Sequence, residues 1–335
     1  MRGDLMRMIA VDAMGGDYAP EEIVKGAVDA VISDGIGVIL VGSEKQVREE
    51  LRKYSYPDNL ISVVHASESI GMGEHPAKSV RRKKDASLVV AARLVKSGQA
   101  AAFVSAGNTG AMMAASLFEL GRIPGIERPG IATVLPCPDG LPRVLIDSGA
   151  NADAKARQLV QFAYLGSAFA KSVLKIEDPR VALLSVGSES SKGNEVVIEA
   201  HQLLQDAGDL NFAGNVESRE LMTAGVDVVV CDGFVGNITL KAVEGIATAL
   251  MGMIKEELTK NPLRAFGGIL VKPGLKEMAK KMDYSEYGGA PLLGVNGISI
   301  ICHGTSRARA VKNAVHYAHQ AVTSDLLGMM RRGLE

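Results

Sequence analysis

The stretch Ala101-Ala-Phe-Val-Ser-Ala-Gly-Asn-Thr-Gly110 joins a short apolar run to a loop of glycines and small polar residues. The residues after it, Ala111–Leu120, are mostly apolar and suit a helix. Glycine permits positive φ angles and the close approach of a ligand, and free N–H groups at a helix N-terminus attract anions. The stretch therefore predicts a buried strand, an anion-binding loop and a helix, in that order.

The same succession of apolar run, polar glycine loop and helical pattern recurs along the chain. The further loops are Asp12–Asp17, Asp147–Asn151, Val186–Asn194 and Asp232–Asn237. Predicted strands are Met8–Val11, Val38–Val41, Ser62–His65, Ala101–Val104, Ile131–Leu135, Val144–Ile146, Val181–Val186, Asn211–Ala213, Val226–Cys231 and Ile298–Cys302. Predicted helices include Ala86–Lys96, Gln158–Val173 and Glu195–Ala207.

Most of these apolar runs lack alternation of polar and apolar residues, which is typical of parallel strands covered on both faces. We therefore expect an α/β fold, a three-layer α/β/α arrangement around a largely parallel sheet. In such sheets ligands bind beyond the carboxyl ends of the strands, where the glycine loops lie, so we expect these loops to cluster at one rim of the fold. The length of 335 residues suits one α/β domain over 1–335. The proline-rich segment 126–143 predicts a hairpin-like connection and a possible break between two subdomains.

The composition excludes several classes of function. Seven Phe, seven Tyr and no Trp argue against base-stacking surfaces, and a net charge of −1 gives no general attraction to nucleic acid. The three cysteines are far apart, which predicts neither disulfides nor a zinc site and favours the reducing cytosol. The N-terminus lacks the apolar core of a secretory signal, and no uncharged apolar run of about 18 residues predicts a membrane-spanning helix.

Two loops carry the strongest anion-binding signals. In the first, Gly107, Asn108 and Thr109 open a predicted helix, although a glycine turn of this kind also occurs with a purely structural role. In the second, Lys192 precedes Gly193 and Asn194 at a helix start, where a lysine suits a phosphate; the alternative is a solvated surface lysine.

Other polar residues are weaker candidates. Asp147, Asn151, Asp232 and Asn237 follow predicted strands, where they orient a substrate or satisfy sharp turns, and His303 follows the last strand, where it acts chemically or caps a turn. The sequence contains no P-loop, no complete Gly-x-Gly-x-x-Gly after a strand, no Gly-x-Ser-x-Gly and no metal-binding histidine spacing. We therefore expect no cofactor and no metal.

Two further segments suggest macromolecular contacts. The basic run Arg81, Arg82, Lys83 and Lys84 is either a solvated face or a docking site for an acidic partner. Residues 241–283 predict an amphipathic helical hairpin, with a break at Pro262 and an apolar loop over Leu263–Val271. The loop side chains Leu263, Phe266, Ile269 and Leu270, with lysines nearby and Met282 in the following segment, favour contact with an anionic membrane; the alternative is core or dimer packing.

The chain resembles the PlsX family of bacterial phosphate acyltransferases over nearly its whole length. The matching motifs are Ile9-Ala-Val-Asp-Ala-Met-Gly-Gly-Asp17, Val80-Arg-Arg-Lys-Lys84, Ser105-Ala-Gly-Asn-Thr-Gly-Ala111, Lys192-Gly-Asn-Glu195, Gly214-Asn-Val-Glu217, Asp232-Gly-Phe-Val-Gly-Asn237 and Tyr284-Ser-Glu-Tyr-Gly-Gly289. The resemblance implies a fold similar to phosphate acetyltransferases and to isocitrate and isopropylmalate dehydrogenases. It also implies a homodimer with a protruding helical hairpin that contacts the membrane peripherally.

The activity implied by the resemblance is transfer of a fatty acyl group from acyl carrier protein to inorganic phosphate, giving acyl phosphate for phospholipid synthesis. A membrane acyltransferase that acylates glycerol 3-phosphate would use the product, which places the protein in the cytoplasm at the inner face of the membrane. Lys192, Asn108, Asp232 and His303 are then the candidate catalytic residues. An NAD-dependent dehydrogenase of the same architecture and a non-enzymatic membrane scaffold remain the alternatives.

Overall fold

The computed structural model describes residues 8–281 and 288–333. Its strands are β1 Ile9–Asp12, β2 Val38–Gly42, β3 Ile61–His65, β4 Ala102–Ser105, β5 Gly130–Leu135, β6 Arg143–Ile146, β7 Val181–Ser185, β8 Phe212–Glu217, β9 Val228–Val230, β10 Ala290–Leu293 and β11 Ile298–Ile301. All ten predicted strands are confirmed with shifted ends. β10 was not predicted, because its four residues form a short run interrupted by Pro291.

The helices alternate with the strands along most of the chain. They are α1 Glu21–Asp34, α2 Glu44–Leu51, α3 Pro76–Arg82, α4 Ser87–Lys96, α5 Thr109–Ala115, α6 Ala156–Ser172, α7 Glu195–Asp206, α8 Gly233–Thr259, α9 Pro262–Lys281, α10 Ala308–Thr323 and α11 Leu326–Arg332. A π-helical turn, Ser116–Leu120, continues α5. The predicted helix Ala111–Leu120 is therefore confirmed in position but begins two residues earlier.

The eleven strands form one sheet in the order β3-β2-β1-β4-β11-β10-β5-β6-β9-β7-β8. Seven of the ten neighbouring pairs are parallel, so the prediction of a largely parallel sheet is confirmed. The antiparallel pairs are β11–β10, β10–β5 and β5–β6. Because these three reversals lie between the two parallel sets, the set around β1 and the set around β9 run in opposite directions.

Helices cover both faces of the sheet and complete the three layers. On one face, α1, α6, α10 and α11 bury their apolar sides in a single large core. On the other face, α3, α4 and α5 cover the set around β1, and Leu240 of α8 packs on the set around β9. The segment 126–143 contains β5 and the turn that leads to β6, as the predicted hairpin requires. The division into subdomains remains a prediction.

The predicted hairpin consists of α8 and α9, and two of its details were wrong. α8 begins at Gly233, not near residue 241, because the carboxylate of Asp232 accepts the N–H of Val235 and starts the helix there. The segment Leu263–Val271, predicted as a loop, is helical. Pro262 opens α9 after the Asn261 side chain accepts the N–H of Arg264, and proline fits the first turn of a helix.

The hairpin projects from the packed layers. Of the side chains in α8 whose burial is described, only Gly233 and Gly236 are buried, whereas Leu263, Phe266, Ile269 and Leu270 are exposed by 64 to 82%. The sequence had predicted no membrane-spanning helix. Among the described helices, α8 alone has the length and apolar composition that a membrane span requires. Met282 and the motif residues Tyr284–Tyr287 lie outside the described residues.

Candidate functional site

A buried carboxylate organises the loops after β1 and β4. The Ser105 hydroxyl donates to Asp12 Oδ2 at 2.7 Å, and the Gly107 N–H donates to Ser105 Oγ at 3.0 Å. Asp12 is 2% exposed, and its burial raises the pKa of the carboxyl, while hydrogen bonds from Ser87, Ser105 and the Met14 N–H oppose the shift. The Gly107 amide, predicted to bind substrate, is thus already occupied by a protein acceptor.

Asn108 connects two segments of the chain. Its Oδ1 accepts the Ala111 N–H at 3.0 Å and caps α5, and its Nδ2 donates to the Met72 carbonyl at 2.7 Å and to the Glu74 carbonyl at 3.4 Å. Both ends of the side chain therefore contact protein, which makes Asn108 a positioning residue in this structure and not the free oxyanion donor that we predicted. Thr109, the next residue, is exposed at the first position of α5.

The turn after β11 joins the same group. The Gly304 carbonyl accepts the Asp17 N–H at 2.8 Å, so this turn contacts the loop after β1. The predicted residue His303 is exposed, and its Nδ1 lies 2.8 Å from the Thr305 hydroxyl within its own turn. We call the loops after β1, β4 and β11 the first loop group. They meet because their strands are neighbours that run in the same direction.

A second buried carboxylate organises the loop after β6. Five N–H groups donate to Asp147 at 2.8 to 3.0 Å: the amides of Ile131, Gly149, Ala150 and Asn151, and the side chain of Asn151. Burial raises the pKa of Asp147, and these donors oppose the rise. Asn151 also donates to the Pro129 carbonyl at 2.7 Å. Asp147 and Asn151 therefore shape the loop and do not offer the open substrate contacts that we predicted.

The first turn of α8 lies against this loop. Asp232 Oδ1 accepts the Val235 N–H at 2.8 Å, so this predicted catalytic residue caps the helix with one carboxylate oxygen. A Cβ on Gly236 would overlap the Asp147 carbonyl, which explains why glycine is required there. Asn237 is exposed beside the loop after β6. We call the loops after β6 and β9 the second loop group.

The sequence had predicted that all glycine loops share one rim of the sheet, and this prediction was wrong. The strands of the two loop groups run in opposite directions, so their carboxyl ends lie at opposite edges of the sheet. No hydrogen bond between described residues joins them. They do share a face: Ala150 of the second group packs on the apolar cluster that contains Ala111 and Met112 of α5. The candidate site is therefore the region between the two groups on the face that carries α3 to α5.

Lys192 lies in the loop after β7. Its carbonyl accepts the Ser185 hydroxyl at 3.0 Å, and the Asn215 side chain donates to the Glu189 carbonyl at 2.8 Å, so the loop backbone is braced from both sides. The Lys192 side chain itself is exposed. Gly193 has a φ of 122°, a conformation that favours glycine. β7 belongs to the same parallel set as β6 and β9, which places Lys192 with the second loop group by strand direction.

Asn194, also predicted to bind substrate, caps α7 by accepting the Val197 N–H at 2.9 Å. Asn108, Asp232 and Asn194 share one structural role. Each begins a helix after a glycine loop, and a side-chain oxygen of each accepts a backbone N–H of that helix. Within residues 8–281 and 288–333, no three His, Cys, Asp or Glu side chains lie together as a metal site would require.

The basic run is only partly available to a partner. Lys83 donates to Glu74 Oε1 at 2.6 Å and to the Ser69 carbonyl at 2.8 Å, so it is an internal ion pair and not the free docking residue that we predicted. Arg81 lies over the Phe118 ring at 5.0 Å from its centroid. Arg82 and Lys84 are both exposed to solvent. Arg82 Nη2 lies 4.0 Å from Glu74 Oε2.

Comparison with known proteins identifies the family. The sequence profile described as "Fatty acid synthesis protein" matches residues 7–329. The chain belongs to this family. It is 56% identical to the phosphate acyltransferase of Pelotomaculum thermopropionicum over 327 residues, which cover 98% of the chain and 95% of the relative. Identity to the phosphate acyltransferase of Desulfitobacterium hafniense strain Y51 is 54% over 330 residues, with 98% of both chains covered. The family resemblance seen in the sequence motifs is confirmed.

Solved structures confirm the fold that the family resemblance implied. A phosphotransacetylase from Streptococcus pyogenes superposes with a TM-score of 0.64 at 20% identity, covering 96% of this chain and 97% of that one. The EutD phosphotransacetylase from Staphylococcus aureus gives 0.63 at 19% identity, covering 96% and 99%. A 4-hydroxythreonine-4-phosphate dehydrogenase from Klebsiella pneumoniae gives 0.54 at 16% identity, covering 94% and 99%. At these identities the likeness concerns the fold alone.

Sequence reasoning missed two side chains at the first loop group, one of which, Met72, belongs to the loop after β3. The Met72 side chain, 45% exposed, reaches Gly304, where a Cβ would overlap its methyl group. Arg307 stacks over the Tyr18 ring. Met72, between Gly71 and Gly73, and Arg307 both lie outside the five loops singled out in the sequence, and their partners are distant in sequence. The available signal was the position of Arg307, which directly follows the polar turn Cys302–Ser306.

Proposed function

We propose that the protein transfers a fatty acyl group from acyl carrier protein to inorganic phosphate and releases acyl phosphate for phospholipid synthesis. The observation that carries this proposal is identity above 50%, over nearly the whole chain, to proteins named phosphate acyltransferase. The geometry supports it, because polar loops follow the strands of both parallel sets and leave Thr109, Asn237 and, in the loop after β7, Lys192 exposed for a ligand.

In the proposed reaction a phosphate oxygen attacks the thioester carbonyl carbon. A C–O bond forms, the C–S bond breaks, and the carrier thiolate leaves and takes up a proton from water. Phosphate is a sufficient nucleophile at neutral pH, so the protein's task is to hold the reactants in line and stabilise the negative charge of the tetrahedral intermediate. Lys192 neutralises that charge, the exposed Thr109 and Asn237 orient the substrates, and Asn108 holds the Met72 segment in place.

The test is direct detection of acyl phosphate. Purified protein is incubated with acyl carrier protein thioester and phosphate, and hydroxylamine traps the product as hydroxamate. Lys192→Ala should lower the rate about 100- to 1000-fold, as removal of one charge-stabilising group commonly does. Lys45→Ala is the control, because Lys45 is likewise an exposed lysine near the start of a helix. Equal rates for both variants would refute the role of Lys192.

The same assay separates the alternative functions. Hydroxylamine also cleaves thioesters directly, so the rate is counted above that of the same mixture without protein. An NAD-dependent dehydrogenase would reduce NAD and form no hydroxamate above this background. A non-enzymatic membrane scaffold would do neither. Hydroxamate formation above the background that persisted without added phosphate would contradict the proposed acceptor.

We further propose that the acidic carrier docks on the face that carries α3. Since Lys83 is paired internally, the exposed docking charges that remain are Arg81, Arg82 and Lys84, of which Arg81 is held over the Phe118 ring. Arg82→Glu with Lys84→Glu should raise the KM for the carrier thioester and weaken its dependence on salt. The charge-reversed pair Arg48→Glu and Lys45→Glu on α2 is the control. Unchanged KM and salt dependence in the first variant would contradict this docking site.

The remaining proposals concern assembly and location. We propose a homodimer that works in the cytoplasm at the inner face of the membrane and delivers acyl phosphate to a membrane acyltransferase that acylates glycerol 3-phosphate. What supports membrane contact is the exposed apolar surface of α8 and α9. The same surface would equally suit a second copy of the chain, so the experiment on the hairpin, given in the Discussion, measures both.

A further inference from the structure

The arginine in the turn between β11 and α10 is held in place from two sides. The Arg307 guanidinium carbon lies 4.0 Å from the centroid of the Tyr18 ring, and its Nη1 lies 3.5 Å from Glu22 Oε1. Glu22 Oε2 accepts the Ala308 N–H at 2.8 Å. These contacts tie the start of α1 to the turn that carries Arg307 and fix the direction of the guanidinium.

These contacts leave the guanidinium available. Its side chain is 62% exposed, and the 3.5 Å contact to Glu22 is longer than the roughly 2.7 to 2.9 Å of a strong charge-assisted hydrogen bond. A guanidinium has five N–H donors, of which Glu22 takes one through this long contact. Arg307 therefore keeps a donor edge for a further anion, and its stacking on Tyr18 reduces the entropy lost when that anion binds.

The position of this arginine places a cation at the first loop group. Its turn contacts the loop after β1 through the Gly304 carbonyl and the Asp17 N–H. Asp12 and Asp17 are acidic, and Asp12 is committed to organising the Gly107 amide through Ser105. A phosphoryl group bound among these loops would need a positive partner, and Arg307 supplies one with the planar fork that matches phosphate oxygens.

We propose that Arg307 binds a phosphoryl group of the substrates at the first loop group, with Tyr18 and Glu22 as positioning residues. The inference rests on the proposed function and assigns one half of its site. Two substrates carry the required chemistry: free orthophosphate, and the phosphodiester in the prosthetic arm of the carrier protein. In both cases the guanidinium donates two parallel N–H bonds to phosphoryl oxygens.

Kinetics with two acyl donors distinguish these sources. Arg307→Ala is assayed with acyl carrier protein thioester and with acyl-pantetheine thioester, which lacks the phosphodiester. If Arg307 binds orthophosphate, the KM for phosphate rises about 10- to 100-fold with both donors, as the loss of a charged hydrogen bond predicts. If it binds the arm, the KM for the carrier thioester rises instead, and the defect disappears with acyl-pantetheine.

Either outcome supports a phosphoryl-binding role, and Arg307→Lys should recover part of the loss because it keeps the charge without the fork. Arg48→Ala is the matched control, because Arg48 is 57% exposed, is paired with one glutamate and lies on α2. If neither KM moves in Arg307→Ala relative to this control, the proposal is overturned.

The positioning residues have their own signature. Tyr18→Ala should raise the same KM that Arg307→Ala raises, by a smaller factor, and Tyr18→Phe, which keeps the ring, should raise it less than Tyr18→Ala does. An equal effect of both Tyr18 variants would overturn the stacking role.

A binding measurement keeps this inference separate from the proposed function. Orthophosphate should raise the melting temperature of the wild type and of Arg48→Ala but not of Arg307→Ala if Arg307 holds orthophosphate. A wild type that is stabilised by phosphate but forms no acyl phosphate would refute the proposed function and leave this inference standing. Absence of stabilisation in the wild type, together with unchanged KM values for Arg307→Ala, would refute the inference alone.

Discussion

The hydrogen bonds of Asp147 predict what its replacement does. Asparagine keeps the shape but replaces one acceptor oxygen with an NH2 group, which faces N–H donors that converge on that position. We expect Asp147→Asn to lower the free energy of unfolding by about 2 to 4 kcal/mol, because buried donors lose their acceptor. Urea denaturation measures this change.

Asp232→Ala is the control for that experiment. It removes a single capping bond at the start of α8 and should cost about 1 kcal/mol. If Asp147→Asn unfolds as the wild type does but loses activity, the carboxylate acts on substrate and the structural role is wrong.

Glu74, whose carbonyl accepts a hydrogen bond from Asn108, gives the stability of the protein a dependence on pH. The hydrogen bond from Lys83, followed by those from the Gly71 N–H and Ser79, lowers the pKa of Glu74 from 4.5 to about 2. A carboxyl whose pKa is lower in the folded protein stabilises it above the unfolded pKa, and that stabilisation is lost as the pH falls. The stability difference between wild type and Glu74→Gln should therefore be constant above pH 5 and shrink between about pH 5 and 2. A difference that grew on acidification would contradict the ion pair.

At this scale the sequence predicted the polar residues of the site better than their roles. Glycine loops before helices drew attention to Asn108, Asp147 and Asp232, and each of them is hydrogen-bonded in the structure. The sequence could not show that the partner is the protein itself, because a helix N–H group and a substrate oxygen demand the same side chains. Arg307 was missed because its partners Tyr18 and Glu22 lie almost 300 residues away and contact it only in the folded chain.

At the scale of elements, the hairpin of α8 and α9 carries the clearest prediction. Leu263, Phe266, Ile269 and Leu270 are highly exposed on α9, so replacing all four by serine should leave the packed core intact. If they contact a membrane, the variant should no longer float with vesicles that contain anionic phospholipid. Leu141→Ser, which changes a leucine that is 64% exposed in the turn between β5 and β6, is the control.

Sedimentation of the same variant tests the other occupant of this surface. A change from dimer to monomer with unaltered vesicle binding would assign the four side chains to subunit packing and contradict the membrane proposal. Sequence periodicity predicted the hairpin but placed a loop at Leu263–Val271. The reason is local: Gly267 and Gly268 interrupt the pattern, while capping by Asn261 and the start at Pro262 favour a helix that the pattern alone does not show.

At the scale of the whole molecule, β10 joins the two parallel sets. Leu292 is 1% exposed and is paired with Ile131 of β5, while Ala290 and Pro291 are paired with β11. Leu292→Ala should cost about 2 to 5 kcal/mol and uncouple the sets, so that urea unfolding becomes broader with a lower apparent slope. Leu183→Ala, in β7 within one set, should lower the midpoint but keep a single steep transition. Identical slopes for the two variants would contradict the coupling role.

Apolar runs predicted ten strands because buried parallel strands are continuous apolar segments. Their relative directions could not be predicted. A reversal depends on which strands become neighbours, and the decisive one, Ala290–Leu293, is four residues long. The single rim expected for all glycine loops was wrong for this reason alone, although each loop was correctly placed after its own strand.

The late position of β10 affects how the protein is made. The ribosome completes β1 to β9 before it reaches residue 290. In the folded sheet β11 pairs with β4 and β10 pairs with β5, so one edge of β4 and one edge of β5 are unpaired until these last strands are made. Open edges of apolar strands recruit other chains. We therefore expect the nascent chain to be prone to association with other chains until β10 and β11 pair with these edges.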